Sequence, residues 1–300
     1  MIRHQGLRLE GTGGVPRVLA VGNFDGVHLG HQAVLGEAVA AAQARGGEAW
    51  VLSFSPHPAR VLRPESAPPL LTTPDQRARR FAELGLHGWW ERPFDRAFAA
   101  LAPEAFWADL LAATPGLAAL RVGDTWRFGR GATGSVDDLQ RWGEEAGVEV
   151  RGVAGVSIAG ARVSSTRIRA AVERGDCAGA AELLGRPYAL EGVVTGGDRF
   201  ARTLGFPTAN LATANELFPP DGVYRCRAEL RGVTYPAAGY LPAGRQKCEA
   251  HLLGYSGDAY GQPLRVEFLA RLRPDRIISG LDNLRAQIAE DVRQVAAGWT

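Results

Sequence analysis

The first half of the chain alternates two textures. Short, continuously apolar runs stand at 17–22, 49–54, 118–122 and 149–153, with another near 88–92. Between them, near 31–45, 74–85, 103–113 and 136–147, apolar residues recur every three or four positions. An unbroken apolar run reads as a strand covered on both faces, and the longer spacing as an amphipathic helix. Strands alternating with helices predict a parallel sheet with crossover helices. From about 185 the texture changes to short β-rich runs separated by glycine and proline: "LEGVVTG", "GVYRCRAEL", "CEAHLLGYSG" and "LRVEFLARL". That is the pattern of an antiparallel barrel or sandwich. Leu281, Leu284, Ile288, Val292 and Val295 then fall at helical spacing, so a last helix lays one face on the barrel. The expected organisation is an α/β, Rossmann-like parallel-sheet domain over 1–184 and a β-barrel domain with a terminal helix over 185–300.

Composition narrows the classes. Three hundred residues suit two domains, and a hydrophobic content of 46% suffices for two cores. A net charge of +2 argues against nucleic-acid or membrane-surface partners. No apolar run has the length to cross a bilayer, and the N-terminus lacks a signal-peptide core. Cys177, Cys226 and Cys248 are odd in number and in no metal spacing, so they read as reduced thiols of a cytoplasmic protein. Lys247 is the only lysine, and asparagine occurs only at 23, 210, 215 and 283. A lysine or asparagine inside a motif is therefore less a matter of background.

Candidate chemistry begins with "VLAVGNFDGVHLGHQAVL", residues 18–35. A strand, a turn bearing Gly22, Gly26 and Gly30, and a helix N-terminus make a place for an anion. His28 and His31, three apart, fall on one side of the first helical turn, suited to donating to phosphate oxygens. Two other readings stay open: a surface pair at a cap, or a metal site with His57 of "SFSPHP", although no Cys or Glu cluster completes a ligand set. "GRGATGS", 129–135, has the glycine spacing of a P-loop, but Ser135 stands where the lysine belongs. "SSTRIR", 164–169, is either a second grip on a polyphosphate or an ordinary capped helix.

In "RTLGFPTANL", Thr208 and Asn210 share a face if the segment is extended. Their oxygens suit Mg²⁺; the competing reading is a Pro-Thr turn with an Asx bond. Glu249 in "KCEAHLL" is either a carboxylate that takes the proton of an attacking hydroxyl or an exposed strand residue beside Lys247.

"GNFDGVHLGH" resembles the signature of the HxGH nucleotidyltransferase superfamily. "SFSPHP", "LTTPDQRARRFAELGL", "FGRGATG" and "SSTRIRAAVERGD", in that order, narrow the resemblance to the bacterial bifunctional riboflavin kinase/FMN adenylyltransferases, from about residue 17 to 295. The resemblance implies a nucleotidyltransferase fold for the first domain and a riboflavin kinase barrel for the second. It implies phosphorylation of riboflavin to FMN, then adenylylation of FMN to FAD with release of pyrophosphate. ATP is the co-substrate of both steps, with Mg²⁺. By resemblance, His28 and His31 bind the ATP phosphates in the transition state, and Gly22, Asn23, Phe24 and Asp25 form the nucleotide loop. Ser165, Thr166 and Arg169 hold the triphosphate from the other side, and Pro56 and His57 lie near the substrate. In the kinase half, Thr208 and Asn210 bind Mg-ATP, and Glu249 activates the ribityl hydroxyl. The implied partners are small molecules, without nucleic acid or membrane, in a monomer or weak homo-oligomer.

Three places depart from the family's pattern. Ala201 replaces a glycine, Thr125 replaces an aspartate, and "AAGYLPAGRQKCEAHLL" stands where "NIGxxPTF" is usual, shorter before the glutamate. The competing reading is an FMN adenylyltransferase alone, with a degenerate barrel that binds flavin.

Overall fold

The computed structural model describes residues 1–11, 14–197, 200–244 and 246–299, and all counts below are of these residues. The chain divides into two compact units, Met1–Val163 and Ser164–Thr300.

The first unit runs β1 (Ile2–Gln5), β2 (Arg17–Val21), α1 (Leu29–Gln43), β3 (Glu48–Ser55), α2 (Pro58–Leu62), α3 (Pro74–Glu83), β4 (Gly88–Pro93), α4 (Arg96–Ala99), α5 (Pro103–Ala113), β5 (Leu117–Gly123), α6 (Val136–Ala146) and β6 (Glu149–Val153). A two-stranded hairpin, β7 (Ser157–Ile158) and β8 (Ala161–Arg162), follows. Six strands form one sheet in the order β1-β4-β3-β2-β5-β6, and every pairing in it is parallel. Its inner strands are buried on both faces, which is why they read as unbroken apolar runs. Leu19, Trp50, Leu52, Trp90 and Leu120 pack on one face. Val18, Ala20, Val51, Trp89 and Ala119 pack on the other. The strand order reverses at β2, with β3 on one side and β5 on the other. Ligands of open parallel sheets bind beyond the carboxyl ends of the strands at such a reversal.

Helix starts follow their caps. Thr73 and Ser135 each close a capping box, with Gln76 and Asp138, and Pro74 and Pro103 occupy first helical positions. Ser135, the residue in place of a P-loop lysine, is thus the cap of α6.

The second unit opens with α7 (Ser165–Glu173) and α8 (Cys177–Leu184). It continues β9 (Tyr188–Thr195), α9 (Phe200–Thr203), β10 (Ala209–Thr213), β11 (Gly222–Leu230), β12 (Val233–Leu241), β13 (Cys248–Leu252), β14 (Pro263–Arg273) and α10 (Leu281–Ala297). The strands close an antiparallel barrel in the order β10-β13-β12-β11-β14-β9. Helix α8 packs on β9 and β14, and α10 lies across β12 and β11. Strand β12 is absent from the pattern reading because Pro236 and Gly239 interrupt it. Pro236 is tolerated because its ring nitrogen faces β13 beyond the last ladder pair, Ala237 with Leu252. Cys177, Cys226 and Cys248 are all buried and free, and burial pushes the Cys177 and Cys248 thiols up to about 11 and about 12.

Candidate active sites

The loop after β2 is held from inside the first unit. Phe24 adopts φ 50° and is buried, with its ring edge-on to His31 at 5.2 Å and to Phe81 at 6.1 Å. The Asp25 carboxylate is 2% exposed and accepts from the backbone N–H groups of Leu71 (2.9 Å) and Thr72 (3.2 Å) and from the Thr72 hydroxyl (3.2 Å). Thr72 Oγ1 accepts in turn from Gly26 N–H at 3.0 Å. Asp25 therefore clasps the loop to residues 71–72. Asn23 is held through its carbonyl, which accepts from Arg77 at 3.4 Å.

His28 is the N-cap of α1, and its Nδ1 accepts from His31 N–H at 3.2 Å. That role puts the proton of the neutral ring on Nε2. The two imidazoles stack, centroids 3.6 Å apart and planes within 15°. Gly30 makes room for the stack, since a Cβ there would press on the His28 ring. His31 is half-buried, and desolvation of its ring together with His28 holds its pKa well below the usual 6.5. Its Nδ1 is buried with no hydrogen-bond partner among the described residues. The site thus presents a neutral imidazole with an unused polar atom at a helix N-terminus.

At the same sheet edge, after the neighbouring strand β3, His57 caps α2 through Nδ1, which accepts from Ala59 N–H at 3.2 Å; Pro56 follows a cis peptide bond. Ser165, Thr166 and Arg169 lie in the first turns of α7, in the second unit, with Ser164 Oγ capping that helix through Arg167 N–H at 3.3 Å. Thr125 is exposed.

In the barrel, pairing sets a row of side chains. Asn210 of β10 stands opposite Glu249 of β13, and Glu249 opposite Tyr240 of β12. Register partners share a face, and so do residues two apart, so Thr208, Asn210, Glu249, His251 and Tyr240 line one surface. On β13 the alternate residues Cys248, Ala250 and Leu252 are buried in the barrel core. The row therefore lies on the barrel's outer face, where a cavity of about 320 Å³ is roofed by Leu284, Ile288 and Val292 of α10. A second cavity of about 300 Å³ lies beyond Pro207 and Thr208, lined also by Ala250, Tyr255, Asp258 and Tyr260. Thr208 lines both.

Thr208 Oγ1 donates to Glu249 Oε2 at 3.1 Å, and Lys247 Nζ lies 2.8 Å from Glu249 Oε1. Asn210 is 9% exposed, and its Oδ1 is buried without a partner among the described residues. Gly197 leaves space for the Asn210 amide, on which a Cβ there would fall. Thr208 and Asn210 thus share a face as the extended reading requires, and no Asx turn consumes the Asn210 oxygen.

Tyr240, Arg273, Asp275 and Asp291 also line the first cavity and were not singled out from sequence. Tyr240 donates to Asp275 at 3.2 Å, and burial, with Asp275 and Glu249 nearby, pushes its phenol up to about 12. Asp291 of α10 pairs with Arg273 of β14 at 2.8 Å. Only the register of β12 against β13 would have found Tyr240, and that strand carries no alternating signal.

Two departures lose their weight. Ala201 sits in the short helix α9 with no positive φ, so alanine is unstrained there. "AAGYLPAG" is not a missing segment. It forms the end of β12 and the turn after it, and Gly239 and Pro242 keep the spacing of glycine and proline in "NIGxxPTF".

A parallel sheet whose switch-point loop carries stacked histidines, joined in one chain to a barrel with a carboxylate beside a buried, unpartnered amide oxygen, defines a two-domain enzyme of phosphate chemistry. The pattern of the FAD synthetase family matches residues 14–167, and that of the riboflavin kinase family residues 184–298. The chain belongs to the bifunctional riboflavin kinase/FMN adenylyltransferase family. It is 37% identical to the member from Escherichia coli (strain K12), over 91% of this chain and 90% of that one. It is 34% identical to the member from Bacillus subtilis (strain 168), over 92% and 90%. The same fold recurs over 100% of both chains, with a TM-score of 0.89 and 27% identity, in the solved structure of a macrolide-efflux protein from Streptococcus pneumoniae. Among the described residues of the present chain, no helix is long and apolar enough to cross a membrane.

Proposed function

We propose that the chain phosphorylates riboflavin in its barrel and adenylylates the resulting FMN in its parallel-sheet unit, with the border between the two activities at residues 184–185. Both domains of the family are present, so the reading with a degenerate kinase is not favoured.

The observation that carries the kinase assignment is the row Asn210–Glu249–Tyr240 facing an apolar cavity, with a buried, unpartnered oxygen on Asn210. The cavity under α10, walled by Leu284, Ile288 and Val292, suits the flat apolar flavin ring; the one beyond Pro207 suits the nucleotide. Thr208 lies where the two meet. Glu249 takes the proton of the ribityl hydroxyl as that oxygen bonds to the γ-phosphorus of ATP and ADP leaves. The donor set fits Mg²⁺, because Asn210 Oδ1 is unused and the Thr208 hydroxyl keeps lone pairs while it donates to Glu249. Thr208 and Asn210 would hold the ion, which supplies charge neutralisation at the phosphates.

In the first unit a phosphate oxygen of FMN attacks the α-phosphorus of ATP, and pyrophosphate leaves. His28 and His31 act as fixed hydrogen-bond donors to the charge that develops, with no covalent intermediate. Gly22, Asn23, Phe24 and Asp25 shape the loop that carries them. Ser165, Thr166 and Arg169 remain the candidates for further triphosphate contacts, and Pro56 and His57 for contacts to FMN. Substrates of this kind and three buried free thiols suit the reducing cytoplasm.

The direct test incubates purified protein with riboflavin, ATP and Mg²⁺ and separates FMN from FAD over time. FMN should rise first and FAD follow. Without FMN at any ATP and Mg²⁺ level, but with FAD from supplied FMN, the kinase assignment fails and the adenylyltransferase-only reading replaces it.

A further inference from the structure

Every basic side chain outside the histidines is arginine except one, and that single ammonium stands on the proposed base. Lys247 Nζ is 2.8 Å from Glu249 Oε1, while the Thr208 hydroxyl donates to Oε2 at 3.1 Å. Each carboxylate oxygen thus has one fixed donor and retains a lone pair for a hydroxyl in the cavity. The terminal torsion of a glutamate is broad and two-fold when nothing holds it. Two donors on opposite oxygens fix the carboxylate plane.

The pair has little structural value. Lys247 immediately precedes β13 and is two residues from Glu249, so their bond is local and ties no second element to the barrel. Both side chains are partly exposed, at 29% and 20%, where an ion pair adds little to stability. What it restrains is the orientation of one carboxylate.

We infer that Lys247 is a positioning residue for phosphoryl transfer: its ammonium and the Thr208 hydroxyl together hold the Glu249 carboxylate in the plane from which it takes the ribityl proton. The inference rests on the kinase reading above. The proton passes from the hydroxyl to Glu249, the oxygen–phosphorus bond forms, and the bond to ADP breaks with its electron pair left on ADP. Lys247 gains and loses no proton in this step; it fixes where the acceptor oxygen sits.

The experiment compares the parent, Lys247→Met and Lys247→Arg in riboflavin phosphorylation, with denaturant unfolding of the barrel as the check on folding and FAD formation from supplied FMN as the check on the first unit. Lys247→Met should lower kcat about tenfold with the KM for riboflavin and ATP within about twofold, because orientation matters at the chemical step. Lys247→Arg should recover to within about threefold of the parent, since it restores a cationic donor. FAD formation should be equal in all three.

A second measurement needs no turnover. After reductive ¹³C-methylation, the only labelled amines are Lys247 and the amino terminus, and Lys247→Met identifies which resonance is which. The Lys247 resonance should move in Glu249→Gln and the terminal one should not. A parent that makes no FMN overturns the kinase reading and this inference with it. A parent that makes FMN beside a Lys247→Met variant with equal kcat overturns this inference alone. It is equally overturned by an altered KM at unchanged kcat, by Lys247→Arg no faster than Lys247→Met, or by a Lys247 resonance indifferent to Glu249→Gln.

Discussion

The His31 ring stacks on a second imidazole, and its desolvation and that neighbour both act against its protonation. Its folded pKa lies below the ordinary 6.5, so between those two values the unfolded chain binds the extra proton. Stability linked to His31 is therefore complete above about pH 6.5 and is lost as pH falls toward the folded pKa. Relative to His31→Phe, the parent should lose about 1.4 kcal/mol per pH unit below 6.5, read from denaturant unfolding of the first unit. Parallel pH profiles for the two proteins would refute it. In catalysis a donor aimed at developing charge contributes to kcat, so His31→Ala should lower FAD formation about 10²–10³-fold with FMN KM nearly unchanged. Gly197 offers a different residue-scale test. A methyl there falls on the Asn210 amide, so Gly197→Ala should displace that side chain and cut FMN formation steeply while FAD formation from supplied FMN persists.

At the scale of elements, α10 roofs the proposed flavin cavity and is fastened to the barrel by one ionic contact. Arg273 of β14 donates from Nε and from a terminal nitrogen to the Asp291 carboxylate, which also accepts from Gln287 at 3.0 Å. Asp291 is 4% exposed. Removing one partner strands the other charge, so Asp291→Ala should cost about 3 kcal/mol and raise the KM for riboflavin. Unfolding of the barrel by denaturant and steady-state kinetics check the two halves of that statement. The elements differ in how plainly they were written. Strands buried on both faces and the helices opened by Thr73, Pro74, Pro103 and Ser135 stand close to where the apolar pattern puts them. Strand β12 was silent because Pro236 and Gly239 look like breakers until the ladder is seen to end beside the proline. The row that β12 completes was hidden for the same reason. Glu249 and Asn210 are legible as residue types in motifs, but Tyr240 joins them only through strand register, which is a tertiary fact.

At the scale of the whole molecule, the two proposed chemistries rest on separate sets of catalytic side chains in one chain. They should therefore fail independently. His31→Ala should sharply lower FAD formation but leave FMN formation, Asn210→Ala should do the reverse, and an equimolar mixture of the two should restore FAD from riboflavin through free FMN. A mixture no better than either variant alone would show that FMN does not pass through solution. The amino-acid bias of the chain has a further consequence in how it can be cut. An endoprotease that cleaves only after lysine has a single target, the bond from Lys247 to Cys248. Cys248 is the first residue of β13 and is 0% exposed, so the folded barrel shields the bond. Cleavage would release residues 248–300, and the loss of intact chain on a gel would time the opening of the barrel alone, whatever the parallel-sheet unit is doing.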